Sequence, residues 1–323
     1  MKIAKAYQRL VPLFLCILFL LSGCTDTGAG THYKVYLVTK SLDTEFWQAV
    51  FVGANAASAE YNIDLTVIGP ETEEDYRTQN EYIAQAVEAG ADALVFSAIS
   101  YEENAAAIDA AAAQGVRIVV IDSDVDSDNV SVRIGTDNVE AGRMAAAAAL
   151  DTDWRSLTVG IVNYDLASRN GQEREAGLRE ALENDPRVRD IYTINVQTSP
   201  EEAQAGSEQL LSLHPEINVL VGLNEPLAVG TAQAVEALGL EGRVRMVGFD
   251  TNVRCIDLMQ TGAVSALIVQ NPYAMGYLGV ESAWELMEGK TFDRHALIDT
   301  ATTIVTQDNM FTPESQKALF PFG

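Results

Sequence analysis

ALVFSAISYEENAAAIDAAAAQGVRIVVID, residues 93–122, contains one full repeat of the pattern from which the fold is read. ALVFSA (93–98) and RIVVID (117–122) are short continuous apolar runs, as strands covered on both faces require. Between them, NAAAIDAAAAQG (104–115) is a helical segment stopped by glycine. Strand, helix and strand in this order make a parallel βαβ unit with the helix packed on a sheet face.

The same unit repeats in both directions. Upstream, KVYLVT (34–39) and IDLTVIG (63–69) read as strands, with helices over 45–61 and 75–90. Downstream, SVRIGTD (131–137) leads into a helix over 138–151, and LTVGIV (157–162) starts the series again. Strands follow at 190–196, 217–222, 245–250 and 264–270, with helices at 170–184, 200–213, 226–238, 252–260 and 272–288 between and after them. A last strand is expected near 298–305. These are too many strands for one tidy sheet, so the pattern predicts an α/β protein of two doubly wound parallel-sheet lobes. A length of 323 residues also fits two domains.

Hydrophobic residues make up 48% of the chain, enough for a core in each lobe. The formal charge of −25 excludes nucleic acid as a partner, because phosphate binding needs a basic patch that is not present.

The front end reads as a targeting segment. Lys2, Lys5 and Arg9 precede an apolar run over 10–21, interrupted by Pro12. The run is too short for a bilayer span, which needs about 20 residues, but fits a signal-peptide core. It ends in Leu21-Ser22-Gly23-Cys24, which resembles the lipobox of bacterial lipoproteins. That resemblance implies removal of residues 1–23, lipidation of Cys24 and a tether over 24–31. Cys16 leaves with the leader, and Cys255 remains as a single thiol, expected to be a small buried hydrophobe.

In doubly wound sheets, ligands sit at the carboxyl ends of the strands. Those ends here carry Ser97, Asp122, Asp137, Asn224, Asp250 and Gln270. Any one of them is explained as a turn or helix cap; together they point to a polar ligand. A second feature lies at the start of the first helix, where Phe46 and Trp47 stand side by side. Adjacent helical residues point about 100° apart, so one apolar face does not readily bury both rings.

Catalytic signatures are missing from the sequence. It has no G-x-x-x-x-G-K-[ST] loop, no G-x-G-x-x-G after a strand, no G-x-S-x-G elbow and no H-E-x-x-H. His32, His214 and His295 lie far apart. Asp122, Asp124 and Asp126 lack the glycine and distal glutamate of a calcium loop. No metal, no cofactor and no enzymatic activity is expected.

From about residue 33 to 306 the chain resembles the ribose-type sugar-binding proteins of bacterial ABC transporters, which share their fold with the lactose-repressor ligand domain. The resemblance is carried in order by FWQAVFVGA (46–54), VVIDSD (119–124), IGTDNVEAGRMAA (134–146) and REAGLREAL (174–182). VGLNEPLAVGTAQAVEALG (221–239), MVGFD (246–250) and ALIVQNPYAMGYLGVE (266–281) complete it. It implies two lobes joined by a hinge of three crossovers, with a ligand cleft between them. The first lobe is expected over 32–136 and 271–297, the second over 137–270 and 298–323.

The resemblance also implies the site. Phe46 and Trp47 would stack on the apolar face of a sugar. Asp122, Arg174, Asn224, Asp250 and Gln270 would read its hydroxyls, with Phe249 beside the second carboxylate. Thr44, Ser97, Ser123 and Asp137 are further candidates. Ribose-specific members have asparagine where Thr44 stands and Asp-Arg where this chain has Asp122-Ser123, and residues around 163–165 differ from the small ones usual there. Ribose is therefore not named as the ligand; a sugar, sugar alcohol or related signalling molecule is.

The expected function is a lipid-anchored, extracytoplasmic solute receptor that hands a monosaccharide-like ligand to an ABC transporter permease, working as a monomer. The alternatives are a sensor lipoprotein feeding a chemoreceptor or sensor kinase and, with less support, an α/β enzyme.

Overall fold

The computed structural model describes residues 32–164 and 166–320. The leader with Cys16, the lipidation candidate Cys24, the tether up to residue 31, Asp165 and residues 321–323 lie outside the described residues.

The chain first lays down β1 (Lys34–Val38), α1 (Glu45–Tyr61), β2 (Asp64–Ile68), α2 (Tyr76–Glu88), β3 (Ala93–Phe96), α3 (Ala105–Ala113), β4 (Arg117–Ile121) and β5 (Val132–Gly135). It continues through α4 (Asn138–Leu150), β6 (Leu157–Asn163), α5 (Arg169–Glu183), β7 (Val188–Asn195), α6 (Pro200–Leu213), β8 (Val219–Gly222) and α7 (Glu225–Ala237). Then come β9 (Arg245–Phe249), α8 (Val253–Thr261), β10 (Ala266–Val269), α9 (Pro272–Met287), β11 (Leu297–Asp299), β12 (Thr303–Thr306) and α10 (Pro313–Leu319).

Among the described residues, twelve strands form two six-stranded sheets, ordered β11-β5-β4-β3-β1-β2 and β12-β10-β9-β8-β6-β7. All pairings are parallel except that of β12 with β10. Apolar side chains fill both faces of each sheet: Val95 and Ile121 on one face of the first and Phe96 and Val120 on the other, Val159 and Val247 against Leu220 and Met246 in the second. This two-sided burial is why the strands read as unbroken apolar runs. Cys255 is buried in the second lobe, and that burial pushes its thiol pKa upward.

The single last strand expected near 298–305 is two strands in different sheets. Thr300 N bonds to Gly135 O at 2.8 Å, which keeps the chain beside β5, and Thr303 then pairs with Val269 on β10. The chain thus passes between the sheets three times: between Gly135 and Asn138, between Val269 and Pro272, and between Asp299 and Thr303.

Glycines let the helices that carry the site approach closely. A Cβ on Gly53 would lie 2.0 Å from Tyr273 O, and one on Gly276 would lie 1.9 Å from Val50 O, so α9 presses directly on α1. In the second lobe a Cβ on Gly142 would lie 2.2 Å from Arg174 O, and one on Gly177 2.0 Å from Val139 O. The α4–α5 contact therefore sets the position of Arg174.

Candidate functional site

Two aspartates anchor the site, one at a strand end in each sheet. Asp122 follows β4 with φ 58° and Asp250 follows β9 with φ 67°. This left-handed backbone is uncommon outside glycine, though aspartate tolerates it, and such conformations persist where the surroundings enforce them. The turn aims both carboxyl groups into the space between the lobes, where both line one small chamber.

Asp122 accepts from Ser97 Oγ at 2.9 Å and from Asn170 Nδ2, in the other lobe, at 3.1 Å. Asp250 accepts from Gln270 Nε2 at 2.7 Å. Burial pushes the Asp250 carboxyl up to about 6, against the opposing pull of Arg174 and Gln270.

Arg174, on α5, is 1% exposed. Its Nε donates to Asn138 Oδ1 at 2.9 Å and its Nη1 to Leu223 O at 2.8 Å, and the guanidinium lies 4.7 Å from the centre of the Phe249 ring. Nη2 has no partner among the described residues, and neither has Gln270 Oε1, although both atoms are buried. A buried donor and a buried acceptor without partners are costly, about 1–3 kcal/mol each, unless something else satisfies them.

The aromatic pair is edge-to-face, with centroids 5.1 Å apart at 89°. Trp47 is 1% and Phe46 8% exposed, and both belong to the first lobe's core while also lining the chamber. Thr44 starts the helix, its Oγ1 accepting from Trp47 N at 3.2 Å. Asn224 does the same for α7, its Oδ1 accepting from Leu227 N at 3.1 Å.

Of the residues expected at the site, Thr44, Phe46, Trp47, Asp122, Arg174, Asn224, Asp250 and Gln270 line the chamber. Four others do not. Phe249 is a buried core residue beneath Arg174, and Ser97 lies behind Asp122 and holds its carboxylate. Ser123 is buried with its Oγ 3.4 Å from Ser168 Oγ. Asp137 is exposed and caps α4, its Oδ1 accepting from Glu140 N at 3.0 Å.

The chamber also holds residues that the sequence analysis did not name as candidates: Lys40, Glu73, Asn170, Glu225 and Pro226, and Tyr164, noted there only within the departing stretch 163–165. Lys40 and Tyr164 stand just past the ends of β1 and β6, so the strand-end rule applied to every strand finds them. Glu73 and Asn170 come from a loop and a helix start and carry no such signal.

The lobes meet directly across the chamber. Glu225, at the start of α7, accepts from Phe46 N at 2.8 Å and from Glu45 N at 3.2 Å, at the start of α1. Glu45 in turn accepts from Asn252 Nδ2 at 3.1 Å and Val253 N at 3.3 Å, at the start of α8. Helix N-termini favour such negative groups. Glu74 Oε1 accepts from Thr198 N at 2.7 Å, and Tyr101 N donates to Ala167 O at 2.9 Å. Drawn together in this way, the side chains leave a cavity volume of about 20 Å³ in the chamber. A groove of about 570 Å³ lies at the hinge behind Phe46, Asp250 and Gln270, running under α10. The convergent charged groups face the chamber, and the chamber is therefore the candidate site. Among the described residues, no group of three or more His, Cys, Asp or Glu is placed to hold a metal ion.

Two lobes hinged by three crossovers around a polar cleft define a solute-binding architecture. The profile of the periplasmic binding protein domain matches residues 35–291, and the chain belongs to that family. It is 26% identical to the D-ribose/D-allose-binding protein of Pseudomonas aeruginosa, over 92% of this chain and 96% of that relative. A carbohydrate transporter solute binding protein from Agrobacterium radiobacter, solved in complex with D-arabinose, superposes with a TM-score of 0.86 at 25% identity, covering 90% of this chain and 99% of that one. A sugar transporter from Clostridium phytofermentans superposes with a TM-score of 0.78 at 32% identity, covering 86% of this chain and all of that one.

Proposed function

We propose that the protein is an extracytoplasmic solute-binding protein that captures a monosaccharide-like ligand between its two lobes and delivers it to the permease of an ABC transporter. It works by binding and lobe closure, makes and breaks no covalent bond, needs no cofactor and acts as a monomer. Lipid on Cys24 would hold it at the outer face of the cytoplasmic membrane or in the periplasm.

The observation that carries this reading is the pair of buried, unpartnered atoms in the chamber, Arg174 Nη2 and Gln270 Oε1. A ligand hydroxyl both accepts and donates, so a polyol can satisfy both atoms at once. Asp250 and Asp122 supply further acceptors, and Phe46 and Trp47, which line the same chamber, supply apolar cover. An apolar ligand would leave both unpartnered atoms unsatisfied. The relatives' sugars, ribose, allose and arabinose among them, have this mix of hydroxyl edge and C–H face.

A thermal-shift screen of the chain lacking residues 1–23 tests the reading, with D-ribose, D-allose, D-arabinose, D-fucose and D-tagatose as ligands. A ligand at 100 times its Kd adds about 2.7 kcal/mol to the native state, and at about 2–4 °C per kcal/mol the melting temperature rises by roughly 5–10 °C. No shift with any monosaccharide or sugar alcohol would refute the function.

A further inference from the structure

We infer that the threonines on the crossings between the lobes, Thr136, Thr300 and Thr302, bias the hinge toward opening. Their hydroxyls lack partners while the lobes are drawn together and gain water when the lobes part. The inference rests on lobe closure as the mode of binding and not on which ligand is bound.

Among the described residues, seven buried side-chain polar atoms have no hydrogen-bond partner, and four of them lie on the three crossings. Thr136 Oγ1 is on the first, Gln270 Oε1 on the second, and Thr300 Oγ1 and Thr302 Oγ1 on the third. The crossings amount to the short segments 136–137, 270–271 and 300–302, so the unpartnered atoms are concentrated where the chain must bend. Gln270 lines the chamber, where a ligand can reach it, but none of the three threonines does. A ligand in the chamber therefore leaves their cost in place, and that cost belongs to the closed form.

Backbone preference does not call for these hydroxyls. An extended segment suits a β-branched residue, and valine offers that branching without a polar atom. A buried hydroxyl with no partner opposes the state that buries it. Thr300 N donates to Gly135 O at 2.8 Å and Asp137 N to Asp299 Oδ1 at 3.3 Å, so the first and third crossings are bound together and flex as a pair. Space for solvent adjoins both. Thr136 lines a cavity of about 290 Å³, and Ala301 and Thr303, on either side of Thr302, line the hinge groove. A hinge rotation that widens these spaces brings water to the hydroxyls. Against this bias stand the bonds that Glu45, Glu74 and Glu225 make across the lobes. The opposition keeps the empty protein from locking shut and leaves closure to the ligand.

Thr136→Val and Thr300→Val test the inference, with Thr136→Ser and Thr300→Ser as controls that keep the hydroxyl. Calorimetry should show each valine variant binding every sugar that the wild type binds about five- to tenfold more tightly. The affinity ratio between D-ribose and D-arabinose should not change, and the serine variants should stay at wild-type affinity. Small-angle scattering on the ligand-free double valine variant should give a smaller radius of gyration than the wild type. Valine variants with wild-type affinity and an unchanged radius overturn the proposal, even if their melting temperature rises, because the hydroxyls are then an ordinary cost of folding. A valine variant that melts early overturns it as well, since its hydroxyl had a stabilising partner. If no sugar binds the wild type, the sugar reading fails by itself and the scattering comparison still decides the hinge.

Discussion

Replacing Glu225 by glutamine removes a carboxylate that is 6% exposed and clamped between the lobes. It accepts from Phe46 N, Glu45 N and Asn252 Nδ2, bonds that favour the charged form. Burial outweighs them and pushes the carboxyl from 4.5 up to about 7. When the lobes part, the two α1 partners are lost and water reaches the group, returning it toward its ordinary value. An acid whose pKa is higher in the closed state takes up a proton on closing. Closure is therefore fully favoured below about 4.5, weakens as pH rises, and levels off above about 7. At about 1.4 kcal/mol per tenfold, the whole interval is worth at most roughly 3 kcal/mol, and solvent screening near the cleft brings the expected effect to about 1–2 kcal/mol. Asp250, raised from 3.8 to about 6 by burial, adds in the same direction over a lower range. Sugar affinity should thus fall by about five- to thirtyfold between pH 5 and pH 8. Glu225→Gln should be nearly flat from pH 6 to pH 8. Titration calorimetry in phosphate and in Tris, whose ionisation enthalpies differ, counts the protons taken up. A wild type whose affinity does not change across this range, or a variant that keeps the wild-type slope, would refute the coupling.

Arg174→Ala or Asp250→Ala removes one member of a buried charged set, at about 1–3 kcal/mol, so calorimetry should show binding weakened by one to two orders of magnitude; folded variants with wild-type affinity would show the site to be misassigned. Gly142→Ala puts a methyl group 2.2 Å from Arg174 O, and the forced separation of α4 from α5 should cost about 1–3 kcal/mol in a denaturation experiment and weaken binding as well. An unchanged midpoint would contradict the close approach. Cys24→Ala should abolish lipid-dependent membrane partitioning in a bacterium that processes lipoproteins. Mass spectrometry showing no lipid on the wild type would end that expectation.

The alternation of elements was legible because parallel strands buried on both faces must be apolar throughout, while glycine and capping residues mark where helices stop and start. Asp122, Asp250 and Gln270 were legible for a related reason, since a polar residue directly after a buried strand has few places to go except the end of the sheet. Periodicity is blind to sheet membership, and so 298–305 read as one strand where Thr300 holds the chain to the first sheet and Thr303 begins a pairing with the second. Asp137 looked like the other strand ends, yet it faces solvent and caps α4, and only the direction of the chain at the crossover decides that.

The pairs that close the site were out of reach of any local pattern. Lys40 and Ser168 are 128 residues apart, and Phe46 and Glu225 are 179 apart. Each pair forms only because the three crossings lay one lobe's strand ends against the other's. The puzzle of Phe46 and Trp47 has the same resolution. A single helix face cannot cover two adjacent rings, but both pack into the first lobe's core, and the start of α1 also meets the opposite lobe, where Glu225 accepts from Phe46 N at 2.8 Å. The sequence by itself determined the elements, their two-sided burial and the polar strand ends, because those follow from local chemistry. Tertiary structure alone decided which charges meet across the cleft, because that depends on how distant segments are brought together.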